Sequence, residues 1–188
     1  MAESVQEVKQ EAKKAMEKAV DALQRHFARV RTGRASLSLL DGIRVEYYGT
    51  PTPLNQVASL SIPEPRLIAI QPWDKSLIPA IEKAILQSEL DLNPTNDGNI
   101  VRVPIPKLTE ERRKELVKVV RGMAEEGRVA VRNARREANG ELDRLQKEKL
   151  ISEDDARRGK DEIQKLTDQY VAKVDELLKK KEAEILEV

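Results

Sequence analysis

Apolar residues at Val5, Val8, Ala12, Ala15, Met16, Ala19, Val20, Leu23, Phe27 and Val30 recur at steps of three and four. That spacing predicts a helix over about residues 4–30 with one buried stripe. A second helical run opens at "PKLTEERRKEL". Thr109 is placed to cap it, and Glu110 and Glu111 suit its positive end. The pattern continues to about Lys149, a helix roughly 60 Å long at 1.5 Å per residue. "LISEDDARR" interrupts it, and Ser152 followed by Asp155 forms a capping-box-like start for a third helix. Ile163, Leu166, Tyr170, Val174 and Leu177 lie along one side of that helix. No helix of this kind buries its stripe alone, so the three are expected to form a bundle.

The middle of the chain follows a different rule. All nine prolines lie between Pro51 and Pro106, where they exclude long helices. "GIRVEYYG" alternates, with Ile43, Val45 and Tyr47 on one face and Arg44 and Glu46 on the other. "VASLSIP", "LIAIQPW" and "NIVRVPI" read as further short strands, and "LNPTNDG" as a turn. "KSLIPAIEKAILQSEL" reads as a helix capped by Asp74 or Ser76, with Pro79 in its first turn. Tyr47, Tyr48 and Trp73 are expected in the core or at an interface of this part. The expected architecture is therefore α+β with two domains. A discontinuous three-helix bundle (1–31 and 107–188) carries an inserted small β/α/β domain (32–106). Two crossings join them: Arg31, Thr32, Gly33, Arg34, Ala35 and Ser36 going in, and Val103, Pro104, Ile105, Pro106 and Lys107 coming out. They read as a hinge of limited freedom, with a fixed elbow as the other arrangement these residues permit.

Composition removes whole classes of chemistry. The 188 residues include no cysteine, so disulfides, thiolate metal sites and cysteine nucleophiles are out. The single histidine, His26, has no evident catalytic partners and is expected at a boundary or surface. There is no Walker loop, no G-x-G-x-x-G and no nucleophile elbow. "EDD" at Glu153 to Asp155 suits a helix start better than a metal. No enzyme, metal site or cofactor is expected. The opening residues lack the apolar run of a signal peptide, and no stretch approaches the roughly 20 apolar residues of a membrane span. A cytoplasmic protein without a membrane partner is expected.

Charge matters only locally, because 34 basic and 33 acidic residues nearly cancel. Residues 32–106 carry six basic and eight acidic side chains, whereas "RVAVRNARRE" holds four arginines and one acid. On a helix at 100° per residue, Arg121, Arg128, Arg132, Arg135, Arg136 and Asn139 share a sector roughly 100° wide. Leu116, Val120, Met123, Ala134, Ala138, Leu142 and Leu145 cluster on the other side, and Gly127 falls with them. Only Glu125 and Asp143 lie in the basic sector, so the stripe is expected to be under-neutralised. Gly122 and Gly140 flank it, suited either to close approach of a partner or to local softness. A planar arginine fork matches phosphate and stacks on bases. An arginine row on a rigid helix, without aromatic residues, points to the backbone of folded RNA. A solvated charged face on a helical interaction protein is the bland alternative.

The order of parts and a series of short motifs resemble the bacterial ribosome recycling factor family. They are "RTGRAS" (Arg31–Ser36), "VEYYGTPTPLNQVA" (Val45–Ala58), "PWD" (Pro72–Asp74), "LNPTNDG" (Leu92–Gly98), "LTEERRKELVK" (Leu108–Lys118), "AEEGRVAVRN" (Ala124–Asn133) and "QKLTDQY" (Gln164–Tyr170). One departure is Asp91, where the family commonly has glycine before "LNP". The resemblance implies an L-shaped monomer of transfer-RNA size. It implies a task after termination: splitting the ribosome into subunits with GTP-bound elongation factor G and freeing mRNA and tRNA. It further implies that the bundle lies on large-subunit ribosomal RNA near the peptidyl-transferase centre, with Arg128 and Arg132 matching the family's arginines. The small domain would face the GTPase and the small subunit. A ribosome-binding factor that stabilises idle ribosomes is the alternative function.

Overall fold

The computed structural model describes residues 2–186. In chain order its elements are α1 (Val5–Ala28), β1 (Arg44–Tyr47), β2 (Thr50–Pro53), β3 (Ala58–Glu64), β4 (Leu67–Pro72), α2 (Ile78–Gln87), β5 (Thr95–Asn96), β6 (Val101–Pro104), α3 (Glu110–Lys147) and α4 (Glu153–Leu186). The chain separates into two compact units: the stretches up to Val30 and from Arg113 onward, and Arg31–Arg112. The second boundary thus falls within the first turn of α3, a few residues beyond Lys107.

The first unit is helical, and each helix end is set by a local rule. The Ser4 hydroxyl accepts from the Glu7 N–H at 3.2 Å to start α1, and the Thr109 hydroxyl accepts from the Arg112 N–H at 3.1 Å to start α3. With 38 residues, α3 is about 57 Å long. Lys149, at φ 60°, turns the chain out of it, and the Leu150 N–H reaches back to the Leu145 carbonyl at 2.9 Å. The Ser152 hydroxyl and the Asp155 carboxylate then exchange backbone hydrogen bonds, at 3.0 and 3.4 Å, as α4 begins.

The core of this unit is the set of stripes the spacing predicts. α1 buries Val8, Ala12, Met16, Val20, Leu23 and Phe27. α4 contributes Ile163, Leu166, Tyr170 and Val174, with α1 running along it. Two hydroxyls within it find partners. The Thr167 hydroxyl donates to the Ile163 carbonyl at 2.8 Å, one turn back on its own helix. The Tyr170 hydroxyl donates to Glu17 Oε1 at 2.9 Å, linking α4 to α1. Burial, then that carboxylate, pushes the Tyr170 phenol up to about 12. Gly127 lies where α3 faces both neighbours: a Cβ there would be in ordinary contact, 3.4 Å from Leu23 Cδ2 and 3.8 Å from Val174 Cγ2.

The second unit holds a four-stranded antiparallel sheet of order β3-β4-β6-β5 and a separate β1-β2 hairpin. Ile68, Ile70, Val101 and Val103 of the sheet, Val45 of β1, and Ile78, Ile81 and Ile85 of α2 meet in one core. The Asp74 carboxylate accepts from the Ser76 N–H at 3.0 Å and so caps the short 3-10 turn Lys75–Leu77 that leads into α2; neither candidate caps α2 itself, whose N-cap position is Leu77. The helix ends earlier than its pattern suggests, because Ser88 is extended (ψ 158°). Two strands are not evident in the pattern. β2 contains Pro51 and Pro53, and a two-stranded ribbon tolerates them because each strand has an unpaired edge. β5 is two residues within the stretch read as a turn.

Two side chains expected in the core or at an interface lie open. Tyr48 is 85% exposed and Trp73 is 70% exposed. Tyr48 and Gly49 form the two-residue loop of the β1-β2 hairpin, both at positive φ, which places Tyr48 outside any core. Only Tyr47 is partly buried, edge-on to Tyr48 with ring centroids 4.5 Å apart.

Asp91 shows why glycine suits its position. Its φ is 54°, in the left-handed region that disfavours a Cβ. Asp91→Gly is expected to stabilise the protein by up to about 1 kcal/mol. Urea unfolding checks this: the midpoint should rise at unchanged slope, and a lower midpoint would contradict the assignment of strain.

Candidate nucleic-acid interface

The rotation of α3 is set by what it buries: Leu116, Val120, Ala124, Gly127, Val131, Ala134, Ala138, Leu142 and Leu145. Met123 is only half-buried, at the margin of that ridge. With the ridge turned inward, Arg121, Arg128, Arg132, Arg135 and Arg136 fall along the flank next to α4. Arg121 and Arg136 are exposed, and the other three half-buried. Gly122 and Gly140 face open space, with nothing within 4 Å of a built Cβ. His26 is exposed on α1.

The flank is more neutralised than its own helix predicts. Arg121 Nε bonds Glu182 Oε1 at 2.6 Å. Arg128 donates from Nε to Asp175 Oδ1 at 2.8 Å and from Nη1 to Glu125 Oε2 at 3.0 Å. Arg132 Nη1 reaches Glu125 Oε1 at 3.5 Å. Asp175 and Glu182 belong to α4, and a projection of α3 alone cannot contain them. Asp143, expected to temper the stripe, instead pairs with Lys160 of α4 at 2.5 Å.

The remaining two arginines have neutral partners. Arg135 Nη1 donates to Gln164 Oε1 and Arg136 Nη1 to Asn133 Oδ1, each at 3.3 Å. Arg135 also keeps a buried Nε without a hydrogen-bond partner. The row is therefore graded, from carboxylate-bound at Arg121 and Arg128, through Arg132, to amide-bound at Arg135 and Arg136. Burial opposes the charge on Arg128, but the bonds to Asp175 and Glu125 outweigh it and raise its pKa above the ordinary guanidinium value. All five stay cationic at neutral pH. Such a row can bind phosphate oxygens by charge-assisted hydrogen bonds.

Several of the expected hinge residues are held by hydrogen bonds or packing. The Arg31 guanidinium donates to the Leu90 carbonyl. The Ala35 N–H donates to the Pro65 carbonyl at 2.7 Å, and the Ser36 and Ser38 hydroxyls lie 2.7 Å apart. Gly33 has φ 79°, and a Cβ there would meet Leu108 at 3.4 Å. Thr32 is half-buried and Arg34 exposed. On the way out, Val103 and Pro104 sit in β6 opposite Ile68 and Leu67. Ile105 is buried, and its N–H donates to the Arg66 carbonyl at 2.8 Å. Pro106 and Lys107 are exposed. Among the described residues no cluster of His, Cys, Asp and Glu is arranged to hold a metal, and no helix is long and apolar enough to cross a membrane.

Comparison with known proteins agrees along the chain. The family model described as ribosome recycling factor matches residues 23–186. The ribosome-recycling factor of Oleidesulfovibrio alaskensis is 58% identical over 178 residues, covering 95% of this chain and 97% of its own. A solution structure of the ribosome recycling factor aligns over 100% of both chains at 46% identity, with a TM-score of 0.79. A second structure describes the T. thermophilus ribosome recycling factor and the E. coli elongation factor G bound to the E. coli post-termination complex. It aligns at 50% identity over 97% of this chain and 99% of that one, with a TM-score of 0.67. With the family model matching residues 23–186 and relatives matched almost end to end, the chain belongs to the ribosome recycling factor family.

Proposed function

We propose that this protein recycles ribosomes: after termination it binds the large subunit through ribosomal RNA and, with GTP-bound elongation factor G, drives the subunits apart. The observation that carries this reading is the arginine flank of α3, where Arg132, Arg135 and Arg136 sit on a helix whose rotation is fixed by packing. Family membership supports the rest, since the T. thermophilus relative is described with elongation factor G on a post-termination complex. GTP hydrolysis is the chemistry, and the elongation factor performs it. This chain contributes a bound, shaped body, acts in the cytoplasm where ribosomes work, and needs no catalytic group, metal or cofactor.

In this reading the helical unit is the anchored arm, with Arg121 and Arg128 completing its basic flank. The sheet unit, with more acidic than basic side chains, is the arm that responds to the GTPase. Bending is assigned to Thr32 and Gly33 on one strand of the connection and Pro106 and Lys107 on the other, with Arg34 next to the first pair. Arg31, Ala35, Ser36, Val103, Pro104 and Ile105 brace the ends of that hinge through the contacts described above.

Sedimentation of post-termination ribosomes tests the proposal. With this protein, elongation factor G and GTP together, ribosomes should run as separate subunits, and each single omission should leave them joined. Ribosomes that stay joined in the complete mixture would overturn the proposal, and a rise in joined ribosomes on adding the protein alone would favour stabilisation of idle ribosomes.

A further inference from the structure

The arginine flank holds two kinds of guanidinium. Arg128 engages all three of its nitrogens with carboxylates: Nε with Asp175 Oδ1 at 2.8 Å, Nη2 with the same oxygen at 2.7 Å, and Nη1 with Glu125 Oε2 at 3.0 Å. Its side chain is only 19% exposed, against 42% for Arg132. A phosphate reaching Arg128 would have to displace or share space with two carboxylates. Arg132, by contrast, makes one long contact of 3.5 Å with Glu125. Arg135 and Arg136 hold only neutral amide oxygens at 3.3 Å, which an anionic phosphate oxygen replaces readily.

The acids also have a direction. Glu125 and Asp175, with Glu182 on Arg121, sit toward the N-terminal end of the row, whereas Arg135 and Arg136 have no carboxylate among the described residues. An RNA backbone laid along the whole flank meets repulsion at one end. One that meets only the short segment Arg132–Arg136 meets less of it: Glu125 at 3.5 Å from Arg132, and Asp168, which accepts from Gln164 Nε2 at 2.9 Å. Specificity is a difference of affinities, and a misplaced charge that penalises wrong partners is a standard way to produce it.

We propose that Arg128 is a positioning residue rather than a phosphate contact, and that Asp175 with Glu125 forms an acidic fence that makes the arginine flank discriminate against RNA other than its ribosomal site. Arg128 crosslinks α3 to α4 and holds the two carboxylates in place. Arg132, Arg135 and Arg136 make the phosphate contacts. This rests on the RNA-binding reading above.

The test is equilibrium binding of the full-length protein to vacant ribosomes and to an unrelated RNA duplex of about 20 base pairs, across a salt series. A phosphate contact contributes roughly 0.7 to 0.9 to the slope of log affinity against log salt. Arg132→Gln should lower the ribosome slope by about that amount. The double variant Arg128→Gln/Asp175→Asn conserves net charge, and its slope should not change. Asp175→Asn alone alters an exposed carboxylate, so folding should survive. It should raise affinity for the unrelated duplex about threefold or more, with a smaller gain on ribosomes. A slope loss in the double variant equal to that of Arg132→Gln would overturn the positioning role, and an unchanged duplex-to-ribosome ratio in Asp175→Asn would overturn the fence. Should Arg132→Gln itself leave the ribosome slope unchanged, the RNA-binding reading falls, and this proposal with it.

Discussion

Helix α3 buries one continuous ridge against its neighbours, and that burial fixes its rotation about its own axis. Each of the larger ridge residues, such as Val120, Val131, Leu142 and Leu145, is fully buried. Burying such a side chain is worth about 1.5 to 3 kcal/mol. An exposed ion pair is worth about 0 to 1 kcal/mol. Rolling α3 by one residue's rotation would sacrifice several of the first kind to gain at most a few of the second. Packing therefore decides where the arginines point, and the carboxylates of α4 adjust them afterwards.

The second unit obeys a different constraint. Its prolines suppress helix and leave short strands, whose alternation supplies one inward face. Ile68 and Ile70 of β4, Val101 and Val103 of β6 and Ile81 and Ile85 of α2 fill it. The turns then take whatever conformation closure demands, including the positive φ of Tyr48 and Asp91. Because β6 runs through Val103 and Pro104 and Ile105 is tied to Arg66, backbone hydrogen bonding to the sheet continues up to the residue before Pro106.

Much of this fold is legible in the sequence because its signals are local and periodic. The stripe of α1, the Thr109 and Ser152 caps and the alternation at Ile43, Val45 and Tyr47 are each set within a few residues. What resists reading depends on distant parts. The exposure of Trp73 and Tyr48 contradicts the usual expectation for aromatics, and hairpin geometry decides it for Tyr48. Strand β2 is hidden by its prolines and β5 by its brevity. The pairing of Arg121 and Arg128 with Glu182 and Asp175 spans the α3–α4 turn. It follows only when both helices are projected and packed antiparallel along their shared ridge. The gradation of the arginine row was invisible to a one-helix count of charges.

Packing fixes which flank of α3 carries the arginines outward, and that flank is the one proposed to meet ribosomal RNA. Since the chain has no cysteine, a single one can be introduced without background. Arg136 and Glu137 are sequence neighbours, both exposed and about 100° apart around α3, with Glu137 turned toward α1. A short thiol-coupled photocrosslinker at Arg136→Cys, on ribosome-bound protein, should attach to large-subunit ribosomal RNA, and the same probe at Glu137→Cys should do so far less. Equal or reversed crosslinking from the two positions would contradict the account.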